Sequence, residues 1–309
     1  MQNMKTPKHS YVFSKDFILC CLAEDDSFFY GEILYGKKRM ENVKTIKLDK
    51  VFYYKYWELE HQNGVNRKKV GEKTSYTKYL NFTTRLYPEH YFNHSIIGNL
   101  FRISKRDVIK VIPPKNYYSL SKFQKQIINH LRIKFPLSLK NILVGGSNLI
   151  NEKNNHNDFD LLIKGKTEGI KMSKFLNEIT LNKTNQVLIG EGRYHQRRFH
   201  INNQIICPFS IYKTDNFFEI AKNRKLENKK EITAKVTDSS GSLFSPARYK
   251  IKTNKSENYL LISYFVGHAH LFKEGDIIKF KAPLFQFFKN SIKKKAFVIP
   301  IEGSWVDIN

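Results

Sequence analysis

From residue 10 to 112 the chain alternates aromatic and β-branched runs with charged turns. "YVFSKDFILCCLAE", "FFYGEILYG", "VFYYKYWELEH", "YLNFTTRLY" and "DVIKVIPP" all read as strands. The polar stretch "HQNGVNRKKVGEKTS" (61–75) reads as a basic loop, and Pro113-Pro114 as a boundary. From residue 115 the period changes. In "SKFQKQIINHLRIKF", Phe123, Ile127 and Leu131 recur at helical spacing behind Ser121, whose hydroxyl suits an N-cap. "NILV" and "DFDLLI" are short strand patterns, with Gly-Gly-Ser opening a short helix after the first. "KMSKFLNEI" gathers Met172, Phe175, Leu176 and Ile179 on one helical face. "RRFHIN" and "QIICPFSIY" read as a hairpin turning at Asn202-Asn203.

The charged "NRKLENKKEI" (223–232) reads as a linker or helix end. Beyond it "EITAKVTD", "ARYKIK", "YLLISYFV", "DIIKFKAP" and "AFVIPI" are five strand candidates. They suit a small barrel such as an OB-fold, and a β-sandwich fits almost as well. The expected fold is therefore a multidomain α+β or α/β chain. A β-rich N-terminal domain spans 1–112, a central mixed-sheet domain 113–226, and a small OB-like β-barrel 227–309.

The chemistry concentrates in "LVGGSNLINEKNNHNDFDLLIKG" (143–165). Asp158 and Asp160 stand two residues apart, so a strand sets both carboxylates on one face. Such a pair repels unless a cation lies between, and Mg²⁺ or Mn²⁺ takes one or two carboxylates together with phosphate oxygens. Gly145 and Gly146 let backbone approach a phosphate, and Ser147 adds a hydroxyl. Taken alone, Gly-Gly-Ser is ordinarily a turn and Asp-x-Asp a solvated strand end. Their succession on two strands defines a nucleoside triphosphate site.

This succession resembles the polymerase-β-like nucleotidyltransferase superfamily over roughly residues 120–215. The resemblance implies a nucleotidyltransferase domain at the centre of the chain. Gly146 and Ser147 take its phosphate-binding positions, and Asp158 and Asp160 its first two metal-binding, catalytic positions. A third carboxylate belongs on a following strand. The matching "NNQIICPFSI" carries Cys207 there, a poor Mg²⁺ ligand. This departure puts full catalysis in question, and no spacing singles out Glu191, Asp215 or Glu219 as its substitute. Over most of its length the chain also resembles a family of archaeal predicted nucleotidyltransferases. The carrying stretches are "KDFILCCL…FFYGEILYG", "DVIKVIPPKNYYSL", "VTDSSGSLFSPARYKI" and "HLFKEGDIIKFKA". That resemblance implies an archaeal, cytosolic protein in three parts.

Charge narrows the partners. Lys and Arg number 53 against 28 Asp and Glu, a formal net charge of +25. A polyanion is the expected partner, nucleic acid ahead of anionic membrane. A lineage-wide preference for Lys and Asn is the bland alternative. "GRYHQRRFHINN" (192–203) offers Arg193 and Arg197 to phosphates and Arg198 to nucleic acid, or else forms a solvated basic edge. In the last domain Tyr249, Tyr259, Tyr264 and Phe265 interleave with Lys250, Lys252 and Lys255, a single-strand-binding pattern whose aromatics are individually expected in the core. Lys293, Lys294 and Lys295 offer sequence-independent phosphate contacts. His268 and His270 are expected to be packed or exposed rather than metal-bound. Cys20, Cys21 and Cys207 show neither metal nor disulfide spacing. No apolar run approaches the roughly 18 residues of a membrane helix. A cytoplasmic protein is expected.

The expected activity is Mg²⁺-dependent transfer of a nucleotidyl group from an NTP to a hydroxyl on nucleic acid, RNA favoured, with a protein hydroxyl also open. The alternative is a degenerate nucleotidyltransferase fold that binds nucleotide or nucleic acid without turnover.

Overall fold

A computed structural model describes residues 6–41, 43–56, 75–150, 158–179, 186–188, 194–201, 204–212, 224–265, 268–289, 292–300 and 306–308. Three sheets and three α-helices organise these described residues. The first sheet holds β1 (Tyr11–Phe13), β2 (Phe17–Glu24), β3 (Phe28–Gly36), β4 (Thr45–Leu48), β5 (Val51–Lys55), β6 (Tyr91–His94), β7 (Gly98–Ser104) and β8 (Lys110–Ile112). Its order is β4-β5-β3-β2-β1-β8, and β7 pairs with both β3 and β6. The run "FILCCL" in β2 is apolar throughout because both sides of the strand are covered. Phe17, Leu19 and Cys21 enter one core, while Ile18 and Cys20 enter another.

One segment departs from expectation. "YLNFTTRLY" was expected as a strand, and most of it lies in α1 (Ser75–Leu86). Tyr79, Leu80, Thr83 and Tyr87 are the buried positions, a helical spacing inside a strand-like composition. The helix period outweighs the β-propensity of aromatic and branched residues, which chiefly reflects packing context. The basic loop at 61–75 falls outside the described residues except for Ser75, which opens this helix.

The second unit holds β9 (Lys115–Asn116), α2 (Lys122–Lys134), β10 (Ile142–Val144), β11 (Asp158–Lys164), α3 (Lys166–Ile179), β12 (Gln186–Leu188), β13 (Tyr194–Ile201) and β14 (Gln204–Ile211). The strand order is β12-β13-β14-β11-β10-β9, and the sheet is mixed: β11 and β14 run parallel while its other neighbours are antiparallel. Ser121 caps α2 in a reciprocal capping box with Gln124. The buried stripe of α2 is Gln124, Ile127, Ile128 and Leu131, whereas Phe123 stays 59% exposed. Ile128, Leu131, Met172 and Leu176 pack on Val144, Phe159, Leu161 and Ile206, so both helices cover the same face. The Asn202-Asn203 turn itself lies outside the described residues, but Ile201 pairs with Gln204 as a hairpin requires.

The third unit holds β15 (Arg224–Gly241), β16 (Ala247–Thr253), β17 (Asn258–Ser263), β18 (Ile277–Lys289), β19 (Ile292–Ile299) and β20 (Val306–Ile308). The stretch expected as a linker is the start of β15, paired with β18 from Arg224↔Gln286 onward. Backbone pairing with β18 makes a strand of a segment too charged to show strand alternation. The order β15-β16-β17-β19-β18 closes on itself through β15–β18, giving a five-stranded barrel with β17 and β19 parallel. Val236, Tyr249, Ile251, Phe280 and Phe297 fill it. A further core joins this barrel to the first sheet, where Ile262, Phe285, Phe287 and Val298 meet Leu19, Ile33, Leu100 and Phe101.

Candidate functional site

Strand β11 builds the site by alternation. Phe159, Leu161 and Ile163 point into the core beneath the helices, so Asp158 and Asp160 occupy the opposite face. Parallel pairing sets Asp160 directly beside Cys207 on β14. On β13, Arg198 precedes Phe199, which pairs with Ile206, so it lies across from Cys207. Its guanidinium hydrogen-bonds the Cys207 sulfur and approaches Asp158 Oδ2 at 3.2 Å.

Charge within this group is unevenly compensated. Burial, and then the Asp158 charge beside it, push the Asp160 carboxyl up to about 6. Arg198, Arg197 and Lys55 oppose that rise without cancelling it. Burial works against the charge of Arg198, but Cys207, Asp158 and Asp160 outweigh it and hold the guanidinium more firmly protonated. Burial likewise raises the Cys207 thiol, keeping it neutral near pH 7.

The glycine turn packs tightly against the acids. Gly146 takes a φ of +65°, and a Cβ there would stand 1.7 Å from Asp160 Oδ2. The space that a side chain would need is thus filled by the Asp160 carboxylate. Gly145 donates its N–H to the Asp160 carbonyl at 3.0 Å, tying the turn to β11. The expected short helix is a single 3₁₀ turn, Gly146–Leu149, in which Asn148 Nδ2 donates to the Asp158 carbonyl. Ser147 sits half-buried in this turn. Leu149 and Ile150 leave this turn to pack on Tyr11, Ile18, Cys20 and Tyr35, so the first sheet closes over the acid face.

The remaining expected residues divide. Arg193 and the acids Glu191, Asp215 and Glu219 lie outside the described residues. Arg197 is buried with its guanidinium 3.8 Å from the centre of the Phe209 ring. Lys250 is drawn 2.7 Å from Asp238, while Lys252, Lys294 and Lys295 are exposed on the barrel and Lys293 belongs to β19. Tyr249 and Tyr264 are core residues, leaving Tyr259 and Phe265 partly accessible. His268 and His270 are buried, with Nδ1 2.8 Å from Ser263 Oγ and 2.9 Å from Ser242 Oγ respectively. Cys20, Cys21 and Cys207 are free and buried.

Sequence reasoning passed over Lys8, His9, Lys55 and Arg248. Their grouping is made by contacts such as Lys8 Nζ to the Ser245 carbonyl, 2.5 Å apart across 237 residues of chain, and no local pattern encodes that. No family model matches the chain, and no curated protein or solved structure matches it. Among the described residues no three His, Cys, Asp or Glu side chains form a metal cluster. The two carboxylates are hard oxygen donors with Asp160 under-compensated, which fits a divalent ion completing its shell with phosphate and water oxygens. No helix among the described residues is long and apolar enough to cross a membrane.

Proposed function

We propose that this chain is a nucleotidyltransferase of the polymerase-β-like superfamily, acting in the cytoplasm on nucleic acid, RNA favoured. The observation that carries the reading is the acid pair: two carboxylates on one strand face, Asp160 under-compensated by its neighbours, against a glycine turn that leaves no space between itself and Asp160. Mg²⁺ or Mn²⁺ held by Asp158 and Asp160 would supply charge neutralisation at the α-phosphate of an NTP. Gly145, Gly146 and Ser147 orient the acids and present the Ser147 hydroxyl beside the triphosphate. Arg197 and Arg198 offset phosphate charge, Arg193 being assigned the same role from sequence. The closed barrel, read as OB-like, carries Lys250, Lys252, Lys293, Lys294 and Lys295 toward a nucleic-acid backbone, in keeping with the +25 net charge.

A second reading has its own observation. Cys207 lies beside Asp160, where a third carboxylate would complete the set, and Arg198 already pairs with Asp158. A fold that binds nucleotide or nucleic acid without turnover fits that arrangement. Incubation with each α-labelled NTP, Mg²⁺ and RNA, DNA or protein separates the two. The transferase reading expects label in an acceptor and its loss in Asp158→Asn/Asp160→Asn. Retained nucleic-acid binding with no transfer from any NTP favours the binding module.

A further inference from the structure

We propose that the outer face of α2, with the 3₁₀ turn Tyr117–Ser119 that leads into it, binds single-stranded nucleic acid, stacking bases on Tyr118 and Phe123 and placing phosphates on the lysines between them. Four of the seven large hydrophobic side chains exposed among the described residues lie in one short segment: Ile109 at 71%, Tyr118 at 73%, Phe123 at 59% and Ile133 at 81%. The same segment is one-sided in charge. From Val108 to Asn151 the chain has seven Lys and Arg and no Asp or Glu. Apolar exposure and exclusively basic charge thus coincide, and a concentration of exposed apolar groups marks an interaction surface.

The fold makes one surface of these residues. The Tyr117 hydroxyl donates to Asn129 Oδ1 at 2.9 Å, and Lys125 Nζ lies 5.9 Å from the Tyr117 ring centre, so the turn is held against the side of α2. Tyr118 meets Tyr117 edge-on, ring centres 5.7 Å apart. At about 100° of rotation per helical residue, Lys122, Gln126 and Ile133 fall between the Lys125–Asn129 edge that Tyr117 touches and the edge that carries Phe123. The buried stripe of α2 lies on the other side of the helix. An exposed ring therefore stands on each flank of a face whose polar positions include the exposed Lys122 and Gln126.

Chemistry selects what covers this face. An exposed ring offers stacking to any base, and an ammonium group beside it offers a phosphate contact. A duplex keeps its bases stacked on one another, so the rings favour a single strand. A bilayer calls for a continuous apolar face, which Lys122, Gln126 and Asn129 interrupt here. The position also separates this surface from the acids. α2 covers the side of the sheet that carries Phe159 and Leu161, whereas Asp158 and Asp160 occupy the opposite face. The inference does not rest on the transferase reading, because binding here needs neither metal nor turnover.

Fluorescence anisotropy of the full chain in EDTA tests it with labelled oligouridylate, oligodeoxythymidylate and a duplex of the same length. The single strands should bind more tightly than the duplex. Tyr118→Ala/Phe123→Ala should weaken single-strand binding at least tenfold. Lys122→Gln/Lys125→Gln should lower the slope of log affinity against log salt by about 1. Phe52→Ala, at an exposed ring on β5, should leave binding within about twofold. Tyr118→Leu/Phe123→Leu keeps apolar bulk without a ring and should bind as weakly as the alanine pair. Absence of single-strand binding, equal weakening by Phe52→Ala, or recovery in the leucine pair overturns the proposal. So does binding to phosphatidylcholine–phosphatidylserine vesicles that is lost in the alanine pair while oligonucleotide binding is unchanged, which assigns the face to a membrane. Ring-dependent binding without nucleotidyl transfer would count against the transferase alone, and transfer without ring-dependent binding against this surface alone.

Discussion

At the scale of single residues, Gly146 and His270 make the sharpest predictions. A Cβ at Gly146 collides with Asp160 Oδ2, and the residue's φ of +65° disfavours any side chain. Gly146→Ala should therefore cost roughly 1–3 kcal/mol in chemical denaturation and displace the carboxylate, removing the proposed metal-dependent activity. A neutral effect on both would refute the contact. His270 is buried between Ser242 and Ser173, and burial first, then Lys273 and Arg197, lower it to about 3. An unfolded histidine takes up a proton below about 6.5. The folded residue remains neutral there, so stability falls as pH drops from 6.5 toward 3. The slope is about 1.4 kcal/mol per pH unit for each such histidine, and His9 adds a second. His270→Asn should remove about one proton's share of that slope in melts across this range. An unchanged slope would contradict the buried neutral imidazole. The acids and glycines were legible in the sequence because alternation and spacing are local. The use of Gly146 was not, because the side chain that fills its space arrives from β11.

At the scale of elements, a clear period was a better guide than composition. The Ser121 cap and the burial of Ile127 and Leu131 followed from local spacing, although Phe123 in the same spacing is exposed, and the hairpin followed from two apolar runs about an asparagine pair. Segment 79–87 misled because its aromatic and branched residues resemble a strand while its buried positions keep helical spacing. The start of β15 misled in the opposite sense, since a charged strand held by pairing to β18 shows no apolar alternation. The α2 assignment gives a paired test. Ser121→Ala should lower stability by about 1 kcal/mol, whereas Phe123→Ala, at an exposed site, should stay within about 0.5 kcal/mol. Comparable losses in thermal melts of both variants would mean that Phe123 is covered in solution.

At the scale of the whole molecule, the barrel and the first sheet share one hydrophobic core, in which Phe285 and Phe287 meet Leu100 and Phe101. Removing either unit exposes that surface. The full chain should consequently melt in one cooperative calorimetric transition, and residues 224–309 expressed alone should aggregate or bind a hydrophobic dye. Two separated transitions, with a monomeric fragment, would contradict the shared core. Composition revealed the excess of basic residues. It did not reveal that Lys8, Arg197 and Arg248 converge, because that arrangement exists only once all three units are assembled.

The acid pair is the proposed reactive centre, and nucleotidyl transfer reports on it most directly. Purified protein is incubated with each α-labelled NTP and Mg²⁺, with RNA, DNA or no acceptor, beside Asp158→Asn/Asp160→Asn. Label should enter an acceptor, RNA first, and none should be transferred by the variant. A folded parent protein that binds nucleic acid yet transfers no label from any NTP would contradict it.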